Sequence, residues 1–227
     1  MDDLPLRLQA KRELRKRLRG IRSSLPASAV ARRSEDIRRR IISSSLYQNA
    51  HSLALFWPIE GRNEVDLRPL VDQARSDGKR VALPATVHDG AEIALRFLDE
   101  GVSLDLGPLG FHEPPESAPL APRIDLLVVP ALAIDASGHR IGYGRGYYDR
   151  LLARMETPYE SLAVAFDFQM LAEVPTTPDD VPVRWIATDR RFFRAGADPG
   201  SSYEASHPSL EREEPPAGIK VITRPGR

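Results

Sequence analysis

Short apolar runs, separated by stretches of helical periodicity, set the frame for this chain. Leu53-Ala-Leu-Phe56-Trp57 and Ile124-Asp-Leu-Leu-Val-Val129 are each followed by a proline, Lys79-Arg-Val-Ala-Leu83-Pro84 is a further such run, and Ser161-Leu-Ala-Val-Ala-Phe166 runs into a polar loop. A continuous apolar run this short reads as a buried strand, and proline ends it because it has no N–H to give to a sheet ladder. Ile93 to Leu98 and Trp185 to Thr188 read as further strands. Strands alternating with helices predict an α/β fold, three-layered, with an open and mainly parallel sheet flanked by helices. With 227 residues and 41% hydrophobic content, one domain over residues 1–195 is expected. Residues 196–227, rich in Gly, Pro and Ser, have almost no apolar periodicity and read as a flexible tail.

The N-terminal part, residues 7–46, is expected to form two basic helices. In the first, over 7–25, Leu14, Leu18, Ile21 and Leu25 recur at helical spacing while Arg12, Lys16, Arg19 and Arg22 take the opposite face. The second starts at Ser28 as N-cap and turns Val30, Ile37, Ile41 and Leu46 inward. Residues 1–40 hold thirteen Lys or Arg against five Asp or Glu, although the whole chain is neutral at 32 of each. Such an arm suits a solvated helix face, a polyanionic nucleotide or a nucleic acid. The chain has no cysteine, which excludes disulfides, cysteine nucleophiles and thiolate metal sites. It has no long apolar span and no export signal at its start, so a cytoplasmic protein without membrane contact is expected.

Beyond Pro130 the composition changes. Gly142, Gly144 and Gly146 alternate with Tyr143 and Arg145, Arg140 precedes them, and Tyr147 to Met155 has helical composition. This reads as a loop. Glycine lets backbone amides approach an anion, the arginines add fixed charge, and the helix start beyond favours a phosphate. The spacing is neither GxGxxG nor a P-loop, so a different phosphate site is implied. Asp149 can hold Mg²⁺ together with phosphate oxygens, and the neighbouring tyrosines offer flat faces to a ring ligand. His112 and His139 read as structural or solvated. Ser137-Gly138-His139 is too compressed for a nucleophile and its base.

The pattern Pro130-x4-Asp135-x2-Gly138-x-Arg140-x-Gly142-x-Gly144-x-Gly146-Tyr147-Tyr148-Asp149 closely resembles the signature of the 5-formyltetrahydrofolate cyclo-ligases, also called 5,10-methenyltetrahydrofolate synthetases. The resemblance extends over residues 10–190. Lys11-Arg12-Glu13-Leu14-Arg15 is similar to the family's N-terminal element that contacts ATP phosphates, and Leu109 to Pro114 resembles its Gly-Ile-x-Glu-Pro segment. Gln169, Val174-Pro175 and Pro178-Asp179-Asp180 follow its Gln, Leu-Pro and Pro-His-Asp, with Asp179 in place of the histidine.

The resemblance implies a fold of the sugar-phosphate isomerase and CoA-transferase type. It implies ATP contacts at Lys11, Arg12, Arg15 and Arg140, and along Ile141, Gly142, Tyr143, Gly144, Arg145, Gly146, Tyr147 and Tyr148, with Arg145 and Lys11 catalytic. Trp57, Glu64, Tyr147 and Tyr148 would bind the folate, and Asp149 with Asp180 would hold Mg²⁺. The implied reaction closes 5-formyltetrahydrofolate to 5,10-methenyltetrahydrofolate with ATP as co-substrate, in a monomer that binds no nucleic acid. Two other readings stand beside it: a non-catalytic relative that binds nucleotide or folate, and an RNA-binding protein using the basic helices.

Overall fold

A computed structural model of the chain describes residues 3–87, 90–156 and 158–197. The expected tail lies outside the described residues apart from 196 and 197.

Helix α1 (Leu4–Ser23) starts after Asp3 with a proline in its first turn, where the missing N–H has no intrahelical acceptor to lose. Pro26, not Ser28, takes the N-cap of α2 (Ala27–Ser43), with extended backbone at φ −60° and ψ 143°. The second predicted helix then divides: Ser44 leaves helical geometry and its hydroxyl accepts from the Tyr47 amide, which starts α3 (Ser45–Asn49) and carries Leu46. The chain continues through β1 (Ser52–Ala54), α4 (Arg68–Ser76), β2 (Arg80–Val87), β3 (Glu92–Phe97) and a small hairpin, β4 (Asp105–Leu106) with β5 (His112–Glu113). Then follow β6 (Leu126–Pro130), β7 (Ala133–Asp135), β8 (Arg140–Ile141), α5 (Tyr147–Arg154), β9 (Glu160–Val164), β10 (Met170–Leu171), β11 (Trp185–Ala187) and β12 (Phe192–Arg194).

The main sheet has the order β12-β11-β9-β6-β1-β2-β3. Its five inner strands are parallel, and β3 and β12 close the edges antiparallel. Alternate residues serve opposite faces. Leu53, Leu55, Val81, Leu83, Leu126 and Val128 pack with Ile37, Ile41 and Tyr47 from α2 and α3 and with Leu70 and Val71 from α4. Ala54, Ala82, Leu127, Val129 and Ala163 pack with Leu151 and Leu152 of α5 on the other side. Burial on both faces explains the continuous apolar runs, and each fully buried leucine contributes about 1.5–3 kcal/mol.

Pro84, the last residue of the expected run, lies inside a strand that continues to Val87. It pairs with Leu95 of β3, and the ladder to β1 stops at Ala82, so the side of β2 facing β1 has no bond to lose there. The stretch after Pro130, expected to be loop throughout, contains a hairpin of β7 and β8 with β10 alongside β7. The buried Asp135 makes its turn, accepting the amides of Ser137 and His139 at 3.0 Å each, while Gly138 takes φ 88°. α1 lies against this small sheet through Leu14, Leu18, Leu132, Ala133 and Ile141.

Candidate active site

The first crossover, β1 to β2, runs to one side of β1, while β6, β9 and β11 run to the other. The order therefore reverses between β1 and β6. In open α/β sheets the crevice beyond the carboxyl ends of the strands at such a point is where ligands bind. A cleft of about 930 Å³ lies there, lined by Phe56 and Trp57 after β1 and by Pro130, Ala131 and Leu132 after β6. α1, the glycine loop and residues 177–181 supply the polar lining.

Lys11, Arg15, Leu18 and Arg22 recur at i, i+4, i+7 and i+11 and so share one stripe of α1. Leu18 anchors that stripe in the small core, and the three cations line the cleft on either side of it. Lys11 and Arg22 are each 4% exposed. Arg22 had been expected on the solvent face, and Ile21, expected inside, is exposed. The spacing can be counted in the sequence, but nothing there marks this face as the buried one. Counting apolar residues alone passed over it, because three of its four members are charged.

The glycine loop turns at Gly144 (φ 98°) and Gly146 (φ 67°), and Gly146 is the N-cap of α5. The Arg15 guanidinium donates to the Gly142 carbonyl at 3.0 Å and lies where a side chain on residue 144 would meet it, 3.3 Å from a built Cβ. The amides of Gly142 to Gly146 give no hydrogen bond to another described residue, and the first amides of α5 have no intrahelical acceptor. Arg145 is exposed and lines the cleft, its guanidinium 3.3 Å from the Tyr147 hydroxyl. Arg140 is buried on β8 and donates to the Val181 carbonyl and to Asp149. Burial pulls its guanidinium below the ordinary value, with Asp149 and Asp180 acting the other way.

Not every expected ATP contact is brought to this place. Arg12 is exposed on α1 and is not among the lining residues, and the Ile141 side chain is buried in the small core under α1. On a helix, Arg12 points about 100° away from Lys11.

Asp180 accepts from Lys11 and from the Thr177 amide. Burial works to raise its carboxyl, but these hydrogen bonds outweigh it and hold the group below the usual carboxylate range. One Asp149 oxygen accepts from Arg140 at 3.1 Å and from the Val181 amide at 3.2 Å. No group of three metal-type ligands occurs among the described residues. Asp149 and Asp180 both line the cleft, and Mg²⁺ commonly takes only one or two carboxylates together with waters and phosphate oxygens.

Glu64 is buried, one oxygen accepting from the Ile59 amide at 2.6 Å and the other from the Tyr143 hydroxyl, with Arg22 3.9 Å away. The Tyr143 phenol is pushed up to about 12 by burial and by Glu64. Burial also raises the Tyr148 phenol, so both tyrosines stay neutral hydroxyls near pH 7. Tyr147 donates to the Gly90 carbonyl at 2.6 Å. Trp57 lines the cleft beside His112, the ring centroids 6.3 Å apart. Glu113 is scaffold: its carboxylate holds the amide and hydroxyl of Thr86, fixing the hairpin that presents Leu109 and Phe111 to the cleft. Asp179 is exposed at the cleft rim.

The profile of the 5-formyltetrahydrofolate cyclo-ligase family matches residues 7–189. The chain is 34% identical over 151 residues to the 5-formyltetrahydrofolate cyclo-ligase of Escherichia coli K12, covering 63% of this chain and 81% of that one. It is 32% identical over 190 residues to the cyclo-ligase of Mycolicibacterium smegmatis, covering 81% and 95%. Among solved structures, the 5,10-methenyltetrahydrofolate synthetase of Aquifex aeolicus superposes with a TM-score of 0.72 at 30% identity, covering 90% of this chain and 99% of that one. No described helix is long and apolar enough to cross a membrane.

Proposed function

The chain belongs to the 5-formyltetrahydrofolate cyclo-ligase family, and on that premise we propose how its cleft closes 5-formyltetrahydrofolate to 5,10-methenyltetrahydrofolate at the expense of ATP. The observation that carries the reading is the convergence of Lys11, Arg15, Arg140 and Arg145 with unpaired loop amides on one cleft that has no Ser, Cys or His in its lining. Such a site suits phosphoryl transfer, where positioning and charge stabilisation do most of the work.

The N5-formyl group is an amide, and its oxygen leaves poorly as hydroxide. The formyl oxygen attacks the γ-phosphorus of ATP, the bond to the bridging oxygen breaks, and ADP departs. N10 then adds to the activated carbon and loses its proton, and the C–O bond breaks to release phosphate and the methenyl cation. No protein nucleophile takes part. Lys11, Arg15 and the amides from Gly142 to Gly146 hold the phosphates, and Arg145, exposed at the mouth, follows the charge that moves onto the transferring group. Arg140, fixed by the Val181 carbonyl, keeps Asp149 in place. Asp149 and Asp180 would hold Mg²⁺, which would supply positive charge to offset that of the phosphates. Trp57, Tyr147 and Tyr148 wall the folate, and Glu64 braces the loop beneath it. Action as a monomer in the cytoplasm completes the reading.

The test is absorbance of the methenyl product from 5-formyltetrahydrofolate with purified protein, with and without ATP and Mg²⁺. Product that needs both is expected. Binding of ATP or folate without product would point instead to the non-catalytic relative.

A further inference from the structure

Three guanidinium groups gather on one ring of this cleft. Arg62 lies 5.0 Å from the Tyr143 ring centroid, Arg19 5.3 Å and Arg22 5.7 Å. Among the described residues Glu64 is the only acid with an ion pair to them, at 3.9 Å from Arg22, so it offsets one positive charge of three. Neither Arg19 nor Arg62 has an ion pair with a described residue: Arg19 donates to the Tyr143 carbonyl, and Arg62 has only the ring. The buried Nε of Arg22 has no hydrogen-bond partner. Three cations around one ring, with a buried donor left over, make a place that favours an anion.

The arrangement is built into the fold. Arg62 sits between Gly61 at φ 72° and Asn63 at φ 49°, and Asn63 is the only described non-glycine residue with positive φ. The Asn63 side chain donates to the carbonyls of Arg22 and Leu25 at 3.1 Å each, capping the end of α1, where the last carbonyls lack intrahelical donors. Glu64 holds the Ile59 amide on the other side of the turn. The loop is thus pinned at both ends, with Arg62 over Tyr143.

Lys11 and Arg22 are eleven residues apart on α1, about 16 Å at 1.5 Å per residue. The phosphates belong at the Lys11 end, where the formyl oxygen must meet them. The other anionic part of 5-formyltetrahydrofolate is its glutamyl group, separated from N5 by the pterin and aminobenzoyl rings. Planar guanidinium groups suit carboxylates, which they bind two-pronged. We propose that Arg62, with Arg19 and Arg22, forms a carboxylate subsite for the glutamyl end of the substrate; this rests on the cyclo-ligase reading of the cleft.

The test compares 5-formyltetrahydrofolate with 5-formyltetrahydropteroate, which lacks the glutamyl group, in wild type, Arg62→Ala and Arg62→Lys. Arg62 is exposed, so the variants are expected to fold. For the folate, Arg62→Ala should raise KM about tenfold with kcat within about twofold, the worth of one charge-assisted pair, and Arg62→Lys should recover part of this. The KM for the pteroate should not change, and the difference between the two substrates should shrink with added salt. Equal changes for both substrates, or none for either, would overturn the subsite. If wild type cyclises neither compound, the cyclo-ligase reading fails, and the same two ligands are compared by calorimetry: a folate preference that Arg62→Ala abolishes keeps the subsite, and equal affinities remove it.

Discussion

Lys11, near the start of the chain, and Asp180, near the end of the described residues, form an ion pair inside the cleft, 169 positions apart in sequence. A proposed phosphate-binding cation and a proposed metal-binding carboxylate thus satisfy each other. Arg140 and Asp149 repeat the arrangement at 3.1 Å. On the proposed reading MgATP offers both partners of the Lys11–Asp180 pair a replacement, phosphate for the cation and Mg²⁺ for the carboxylate, whereas either one alone leaves half of the pair without compensation. Mg²⁺ titrated by calorimetry without nucleotide should therefore bind far more weakly than with a non-hydrolysable ATP analogue. Equal affinity in both titrations would refute the exchange.

Lys11→Met removes the proposed phosphate contact and leaves Asp180, 16% exposed, without its cation. Losing one preorganised charge contact costs about 3 kcal/mol in the transition state, so kcat/KM for ATP should fall on the order of a hundredfold. Steady-state kinetics with varied ATP decide this.

Arg145→Ala should lower turnover by a similar factor while leaving the melting temperature nearly unchanged, because the side chain is exposed and its contact with Tyr147 is long. A wild-type rate in that variant would take Arg145 out of the reaction.

Gly144→Ala puts a side chain on backbone at φ 98° and against the Arg15 guanidinium. The strain is about 1–3 kcal/mol, and Arg15 must yield. ATP should bind more weakly in this variant, whereas Gly142→Ala, whose added Cβ meets nothing within 4 Å, should be milder. Nucleotide binding by calorimetry separates the two.

The hydrogen bonds of Asp180 hold its carboxyl below its unfolded value of about 3.9. A depressed folded value means that the pair stabilises the protein above that pH and that the contribution is lost as pH falls through the folded value. Asp180→Asn should consequently be less stable than wild type at pH 6, and the gap in urea unfolding should close as the solution is acidified toward pH 3. A gap that stays constant over this range would mean that the charge of Asp180 does not contribute to stability.

How much of this was legible follows from the range of the forces involved. The parallel sheet could be read because burial on both faces writes itself into successive residues, as in Leu126 to Val129, and the glycine loop because positive φ at 144 and 146 restricts residue type locally. The small strands β7, β8 and β10 left no such mark. At two or three residues each they have no period to read, and they exist because α1 packs on them and Asp135 ties their turn. Ser28 was a sound N-cap by composition, but Pro26 had already set the extended backbone two residues earlier.

By itself the sequence determined the class of sheet, the turns of the glycine loop and the residue types available for chemistry, because these depend on neighbours along the chain. The tertiary structure alone decided which charges meet. It turned Arg22 inward and left Ile21 outside, joined Lys11 to Asp180, kept Arg12 in solvent, and set Arg62 over Tyr143. Charged side chains carry no periodic signal of burial. Their partners come from wherever the fold brings an opposite charge or a ring within a few ångströms, and α1 could be turned toward the cleft only once β7 and β8 were there to receive Leu18.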